Sequence, residues 1–212
     1  MDKKLVLGID MGGTNVRGGL VDEDILPGIA SKKIDAQASA YEVRDELFSF
    51  ADALVNDSVT AIGIGVPGLM DEETEMVLDV VNIPSWKKVP LKKWMEDRYK
   101  IPVVINNDAN CFALGEFYFG KGKGIDSMVG LTIGTGMGSG IIINKKLYPG
   151  KNGGAGEFGM VEYKEHILEY YSSGQFFKNV YNIDGETVFK KAQEGNSDAL
   201  VMYKDMGSHL GN

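Results

Sequence analysis

Two segments constrain this chain more than any other feature: LVLGIDMGGTNVRGGLV at residues 5–21 and MVGLTIGTGMGSGIIIN at residues 128–144. Each runs from an apolar stretch through a polar, glycine-rich turn into a second apolar stretch, so each reads as a β-hairpin. Two such hairpins facing one another can hold a polyphosphate. Glycine lacks a Cβ, so several backbone N–H groups can approach phosphate oxygens, and the Thr14 and Thr135 hydroxyls add donors. Taken singly, each is equally readable as an ordinary glycine-rich turn. No Gly-Lys-Ser/Thr follows at Walker spacing, and a hairpin rather than a strand-to-helix turn follows Asp10. A P-loop and a dinucleotide fingerprint are therefore excluded.

Between these blocks the chain alternates strand-like and helical patterns, which marks an α/β protein. Strands are expected at 4–9, 16–21, 61–66, 103–106, 127–133 and 140–143. Helices are expected at 40–56, 91–99, 109–119, 184–194 and 197–210. The run Gly120-Lys121-Gly122-Lys123-Gly124 is the best boundary between two lobes, 1–120 and 121–212. A length of 212 residues suits two small lobes, each with its own core.

The net charge of −8, with no Lys/Arg run longer than a pair, gives a nucleic-acid or anionic-membrane surface little support. The single Cys111 can form no internal disulfide, fits a reducing compartment and reads as a packed thiol. The N-terminal apolar stretch meets Asp10 and glycines too early for a signal peptide or a membrane span, so a cytoplasmic protein is expected.

Two acidic positions carry the chemistry. Asp10 ends the first strand among phosphate-binding amides, where a carboxylate either holds Mg²⁺, directly or through water, or caps the turn. The run Asn106-Asn107-Asp108-Ala109-Asn110 joins a strand to a helix. Polar groups at the carboxyl ends of strands in open α/β sheets face the ligand crevice, while an Asp at that place is also a common helix N-cap.

At this point the sequence resembles the ROK sugar kinases and repressors, within the actin, hexokinase and Hsp70 superfamily. Asp10-Met11-Gly12-Gly13-Thr14 resembles the family's first phosphate motif and Gly134-Thr135-Gly136-Met137-Gly138 its second. Gly65-Val66-Pro67-Gly68 resembles the loop beside the sugar, and Asn82-Ile83-Pro84-Ser85-Trp86 the Asn-Leu-Pro-Gly-Trp segment. Asn107-Asp108-Ala109-Asn110, followed by Ala113-Leu114-Gly115-Glu116, is similar to the catalytic segment. Gly153-Gly154-Ala155-Gly156-Glu157-Phe158-Gly159 resembles a further sugar-binding segment. Six blocks in family order are far more specific than any one of them.

The resemblance implies a two-lobed actin-like ATPase (ribonuclease H-like) fold and ATP-dependent phosphorylation of a hexose or hexose derivative. Asp108 would be the general base. Gly68, Asn82, Asn107, Glu157 and Glu169 would bind the sugar. Asp10, Gly12, Gly13, Thr14, Gly134, Thr135 and Gly136 would bind ATP phosphates, with Asp10 holding Mg²⁺. Family members are commonly dimers through the second lobe, so a homodimer is implied.

Three departures shape the expectation. Met160 stands where many members have a sugar-contacting, zinc-binding histidine. The cysteine block that completes that zinc site is absent, so no structural zinc is expected. Here the segment runs through His166, which could replace the imidazole, to Glu169. The chain also stops before the strand, Gly-Gly turn and helix that close the family's second lobe, so that lobe is expected to be incomplete. A sugar sensor or truncated fragment is the alternative to an active kinase. A DNA-binding repressor would need a helix-turn-helix ahead of Leu5, where only a few residues stand. An actin-like ATPase with another acceptor is opposed by the sugar-side residues.

Overall fold

A computed structural model describes residues 4–22, 26–71, 73–80, 82–150 and 153–211, which include every candidate site residue. The first hairpin forms as expected, with β1 (Leu5–Met11) antiparallel to β2 (Asn15–Val21) and β2 to β3 (Ala30–Lys33). After α1 (Ala40–Asp52), strand β4 (Val59–Val66) runs parallel to β1. Helix α1 ends four residues before the expected Asn56. The Asn56 side chain accepts the Ser58 N–H in a local turn that competes with further helix.

A small antiparallel sheet follows, of β5 (Leu69–Asp71), β6 (Met76–Leu78) and β7 (Lys88–Val89). Helix α2 (Leu91–Tyr99) then leads to β8 (Val103–Asn107), parallel to β4, and to α3 (Asp108–Tyr118). The resulting five-stranded sheet has the order β3-β2-β1-β4-β8. One of its faces buries Leu7, Ile9, Met11, Ile62, Ile64 and Val66 in a core shared with Val43, Leu47 and Phe50 of α1 and Leu91 and Met95 of α2. Each Å² of apolar surface that this core removes from water contributes roughly 25 cal/mol to stability.

The second hairpin, β9 (Met128–Ile133) and β10 (Met137–Ile143), is extended by β11 (Lys146–Leu147) into a three-stranded sheet. It packs on α3. A Cβ at Gly130 or Gly140 would lie 3.0 Å or 2.6 Å from the Ala113 methyl, so glycine permits the close approach of helix and sheet. Helix α3 thus lies between the two sheets, and its first turn faces the space between them.

A 3₁₀ turn (Phe158–Met160) leads to the short hairpin of β12 (Glu162–Tyr163) and β13 (His166–Ile167). Four helices follow: α4 (Leu168–Ser172), α5 (Phe176–Tyr181), α6 (Gly185–Gln193) and α7 (Ser197–Leu210). They close over a separate core of Tyr171, Phe176, Phe177, Val188 and Ala199. Among the described residues no helix is long and apolar enough to cross a membrane.

Candidate functional site

Asp10 is the penultimate residue of β1, with its side chain exposed, in register with Gly65 of β4 on one side and Arg17 of β2 on the other. A Cβ at Gly65 would lie in ordinary contact, 3.5 Å, with the Asp108 Cα, so the end of β4 and the start of α3 are neighbours. Asp10 and Asp108 both line a cavity of about 620 Å³ floored by Gly8, Gly63 and Gly65.

Asp108 does not cap its helix. Asn107 does: its Oδ1 accepts the N–H groups of Ala109 (2.9 Å) and Asn110 (3.2 Å), and its Nδ2 donates to the Gly68 carbonyl at 3.3 Å. An amide cap satisfies the orphan amides of the first turn without adding charge, and leaves the Asp108 carboxylate to face the cleft. Asp108 Oδ1 also accepts the Ala109 N–H, at 2.8 Å, so it shares that one amide with the Asn107 cap, while Asn107 retains one Nδ2 hydrogen for a ligand.

Burial raises the pKa of Asp108, a hydrogen bond from the Ala109 amide opposes the rise, and the negative charge of Asp10 adds to it. Glu157 is raised as well, first by burial and then by the charges of Asp108 and Glu169. Asp10, Asp108, Glu157 and Glu169 therefore share one electrostatic environment. Cys111, one turn along α3, is pushed up to about 11 by burial and by Asp108 and Asp10, so its thiol stays protonated at neutral pH.

The other motif residues fall into two groups. Around the first turn, a Cβ on Gly13 would lie 2.2 Å from that of Asn82, so the turn rests against Asn82. Asn82 is exposed there because Ile83 and Trp86 anchor its loop in the core, with the indole N–H donating to the Ala40 carbonyl. Around the second turn, Gly134 accepts the Gly174 N–H (2.7 Å) and Thr135 the Gln175 Nε2 (2.9 Å). Glu169 accepts the Met137 N–H (2.8 Å), directly below Gly136. Ser139 of β10 donates to the Gly156 carbonyl and so ties this hairpin to Glu157. The hydroxyl-bearing residues Thr14 and Thr135 are exposed at the turn tips.

Sequence reasoning missed Ser139, Gln175 and Arg17. The Gly138-Ser139-Gly140 spacing, which alternates a polar group with two close-packed glycines, was the available signal for Ser139. His166 stacks on Tyr170 with ring centroids 3.9 Å apart and also meets Tyr171, in a cluster that continues to Tyr163 and His209. It is held by these rings and packs on the aromatic core, whereas Met160 is exposed beside Glu157. Among the described residues no group of three or more His, Cys, Asp or Glu is placed to hold a metal. Mg²⁺ needs no such cage. It is commonly bound by one or two carboxylates together with substrate phosphates and water, and exposed Asp10 beside Asp108 suits that donor set.

The ROK family matches residues 6–212. A glucokinase from Streptomyces coelicolor is 39% identical over 160 residues, covering 74% of this chain and 49% of its own. A xylose repressor from Caldicellulosiruptor bescii is 35% identical, covering 73% of this chain and 40% of the repressor. Among solved structures, a ROK glucokinase from Streptomyces griseus in complex with glucose and AMPPNP superposes with a TM-score of 0.82 at 29% identity. That match covers 98% of this chain and 77% of the other. The chain spans about half the length of the curated glucokinases it matches.

Proposed function

The chain belongs to the ROK family, with its two-lobed actin-like fold, and from that premise we propose that it phosphorylates a hexose or hexose derivative with ATP. The observation that carries this reading is the placement of Asp108. Asn107 takes the N-cap of its helix, burial and the charge of Asp10 raise the pKa of Asp108, and Asp108 lines one cavity with Asp10 of the first glycine hairpin.

In this reading Asp108 takes the proton of the acceptor hydroxyl as that oxygen attacks the terminal phosphate. A raised pKa makes the carboxylate a stronger base. Asn107, through its remaining Nδ2 hydrogen, and Glu157 and Glu169, as acceptors, fix the other sugar hydroxyls, with Gly68 and Asn82 completing the rim. Gly12, Gly13 and Thr14 on one side and Gly134, Thr135 and Gly136 on the other cradle the phosphates. Asp10 would hold Mg²⁺, which supplies charge neutralisation on the nucleotide.

A second reading, a sugar sensor without transfer, is favoured by exposed Met160 at the family's histidine position and by the similarity to a repressor. Phosphate transfer from Mg-ATP to a panel of hexoses, with calorimetric sugar binding on the same protein, separates the two. Transfer to one sugar supports the kinase. Binding without transfer supports the sensor, and neither binding nor transfer removes both.

A further inference from the structure

His209, in the last turn of α7, is only 8% exposed. Its ring closes a triangle with two tyrosines: the Tyr171 centroid lies 5.1 Å away and the Tyr163 centroid 5.7 Å, and the two tyrosine rings are 5.6 Å apart. Phenylalanine would fill such a place without polar atoms to satisfy. The imidazole brings two, and both face partners. Nδ1 lies 3.1 Å from the Tyr163 hydroxyl, and Nε2 lies 3.6 Å from Oδ1 of Asp205, one turn earlier on α7. A lone pair on Nε2 would be repelled by that carboxylate. In the neutral ring Nε2 therefore carries the hydrogen, and Nδ1 accepts the Tyr163 O–H. Asp205 is held in turn by the Tyr181 hydroxyl of α5, which donates to its Oδ2 at 2.8 Å. One side chain thus ties α7 to β12 through Tyr163, to α4 through Tyr171 and, by way of Asp205, to α5.

These ties hold the short helix that carries Glu169. Helix α4 has five residues and no side-chain cap, well below the roughly 12 residues that an isolated helix needs in water, so its neighbours fix where it points. Tyr171 and Ser172 are its buried residues, and Glu169 leaves it towards the second glycine turn, where it accepts the Met137 N–H. Strand β13 runs into α4 without a break, since Ile167 ends the one and Leu168 begins the other. The bond to Tyr163 and the contact with Tyr171 therefore act on one small unit, and a shift of that unit moves Glu169 with it.

We propose that His209 is a positioning residue for the sugar site, which sets the orientation of α4, and with it the Glu169 carboxylate, through Tyr163 and Tyr171. The inference rests on the reading of Glu169 as an acceptor for sugar hydroxyls and deepens it. The volume of the ring packs the core, while the Nδ1 acceptor fixes how the hairpin and α4 sit on α7.

Calorimetry of hexose binding tests it in a double-mutant cycle of His209→Phe with Glu169→Gln. His209→Phe keeps a ring and loses the acceptor, and is expected to weaken hexose binding by about fivefold, the weight of one hydrogen bond. In the Glu169→Gln protein the same substitution is expected to change the remaining affinity by less than about twofold, because the group it positions is gone. Should His209→Phe fail to fold, Tyr163→Phe removes the other end of the bond and takes its place in the cycle. Full hexose affinity in His209→Phe would overturn the inference. An equal loss in both backgrounds would overturn it too, since the substitution would then act on the whole lobe rather than through Glu169. Glu169→Gln binding hexose as the wild type does would remove the sugar role of Glu169, and the inference with it, while leaving the reading of Asp108. A wild-type protein that binds no hexose would remove all three.

Discussion

Glu169 accepts the backbone N–H of Met137 at 2.8 Å, so a carboxylate assigned to the sugar also supports the second glycine turn. Loss of the side chain should therefore be felt on both sides of the cleft. Glu169→Ala leaves the N–H of a nearly buried residue without an acceptor and is expected to cost about 1–3 kcal/mol. It should also weaken binding of an ATP analogue. Glu169→Gln keeps an acceptor oxygen, and should retain nucleotide affinity while losing sugar affinity. Chemical denaturation and calorimetry with each ligand check the split. Equal effects of the two substitutions on nucleotide binding would contradict the structural role.

Gly156 is fixed by two constraints at once. Its φ is +91°, and a Cβ there would meet the Ser139 carbonyl oxygen at 2.5 Å. Gly156→Ala is expected to destabilise the protein by about 1–3 kcal/mol and to displace Glu157 from the sugar. Gly154→Ala, two residues earlier, meets no neighbour and should be near neutral. Denaturation midpoints of the two variants give the comparison, and a harmless Gly156→Ala would sink the account of this loop.

The raised pKa of Asp108 has a consequence for stability. A carboxyl that holds its proton more tightly folded than unfolded makes the folded state progressively less favourable as pH rises through its titration range. Asp108→Asn removes the burial of that charge and its repulsion by Asp10. The variant should therefore be more stable than the wild type at pH 7, and the difference should shrink as pH falls to the ordinary aspartate range and vanish below it. Thermal unfolding across that range checks the sign, and a variant less stable at pH 7 would contradict it.

Most of the architecture was legible from periodicity and punctuation. The glycine turns marked both hairpins, and the boundaries expected for α2 and α7 agree with the observed Leu91–Tyr99 and Ser197–Leu210. The elements that escaped are short or polar. Strand β3, Ala-Ser-Lys-Lys, is largely exposed and has no apolar alternation, and β5, β6 and β7 hold only two or three residues each. Their strand character comes from pairing partners, which local sequence does not carry.

At the site, the acidic positions could be named because carboxylates beside glycine turns and strand ends are chemically conspicuous. Sequence reasoning offers Asp108 as the cap of α3 and does not foresee that Asn107 takes that place, since both residue types cap well and the choice depends on backbone geometry one residue apart. The tie from Ser139 to Gly156 joins residues distant in sequence, so only the fold reveals it.

The measurement that tests the central claim most directly compares Asp108→Asn with the wild type on whichever hexose is phosphorylated, with turnover and sugar affinity read together. Because Asn107 rather than Asp108 caps α3, the substitution leaves the helix start intact. Turnover is expected to fall by at least about a hundredfold, the usual weight of a general base, with sugar affinity largely kept. Normal turnover by the variant would contradict the assignment of Asp108 as the base.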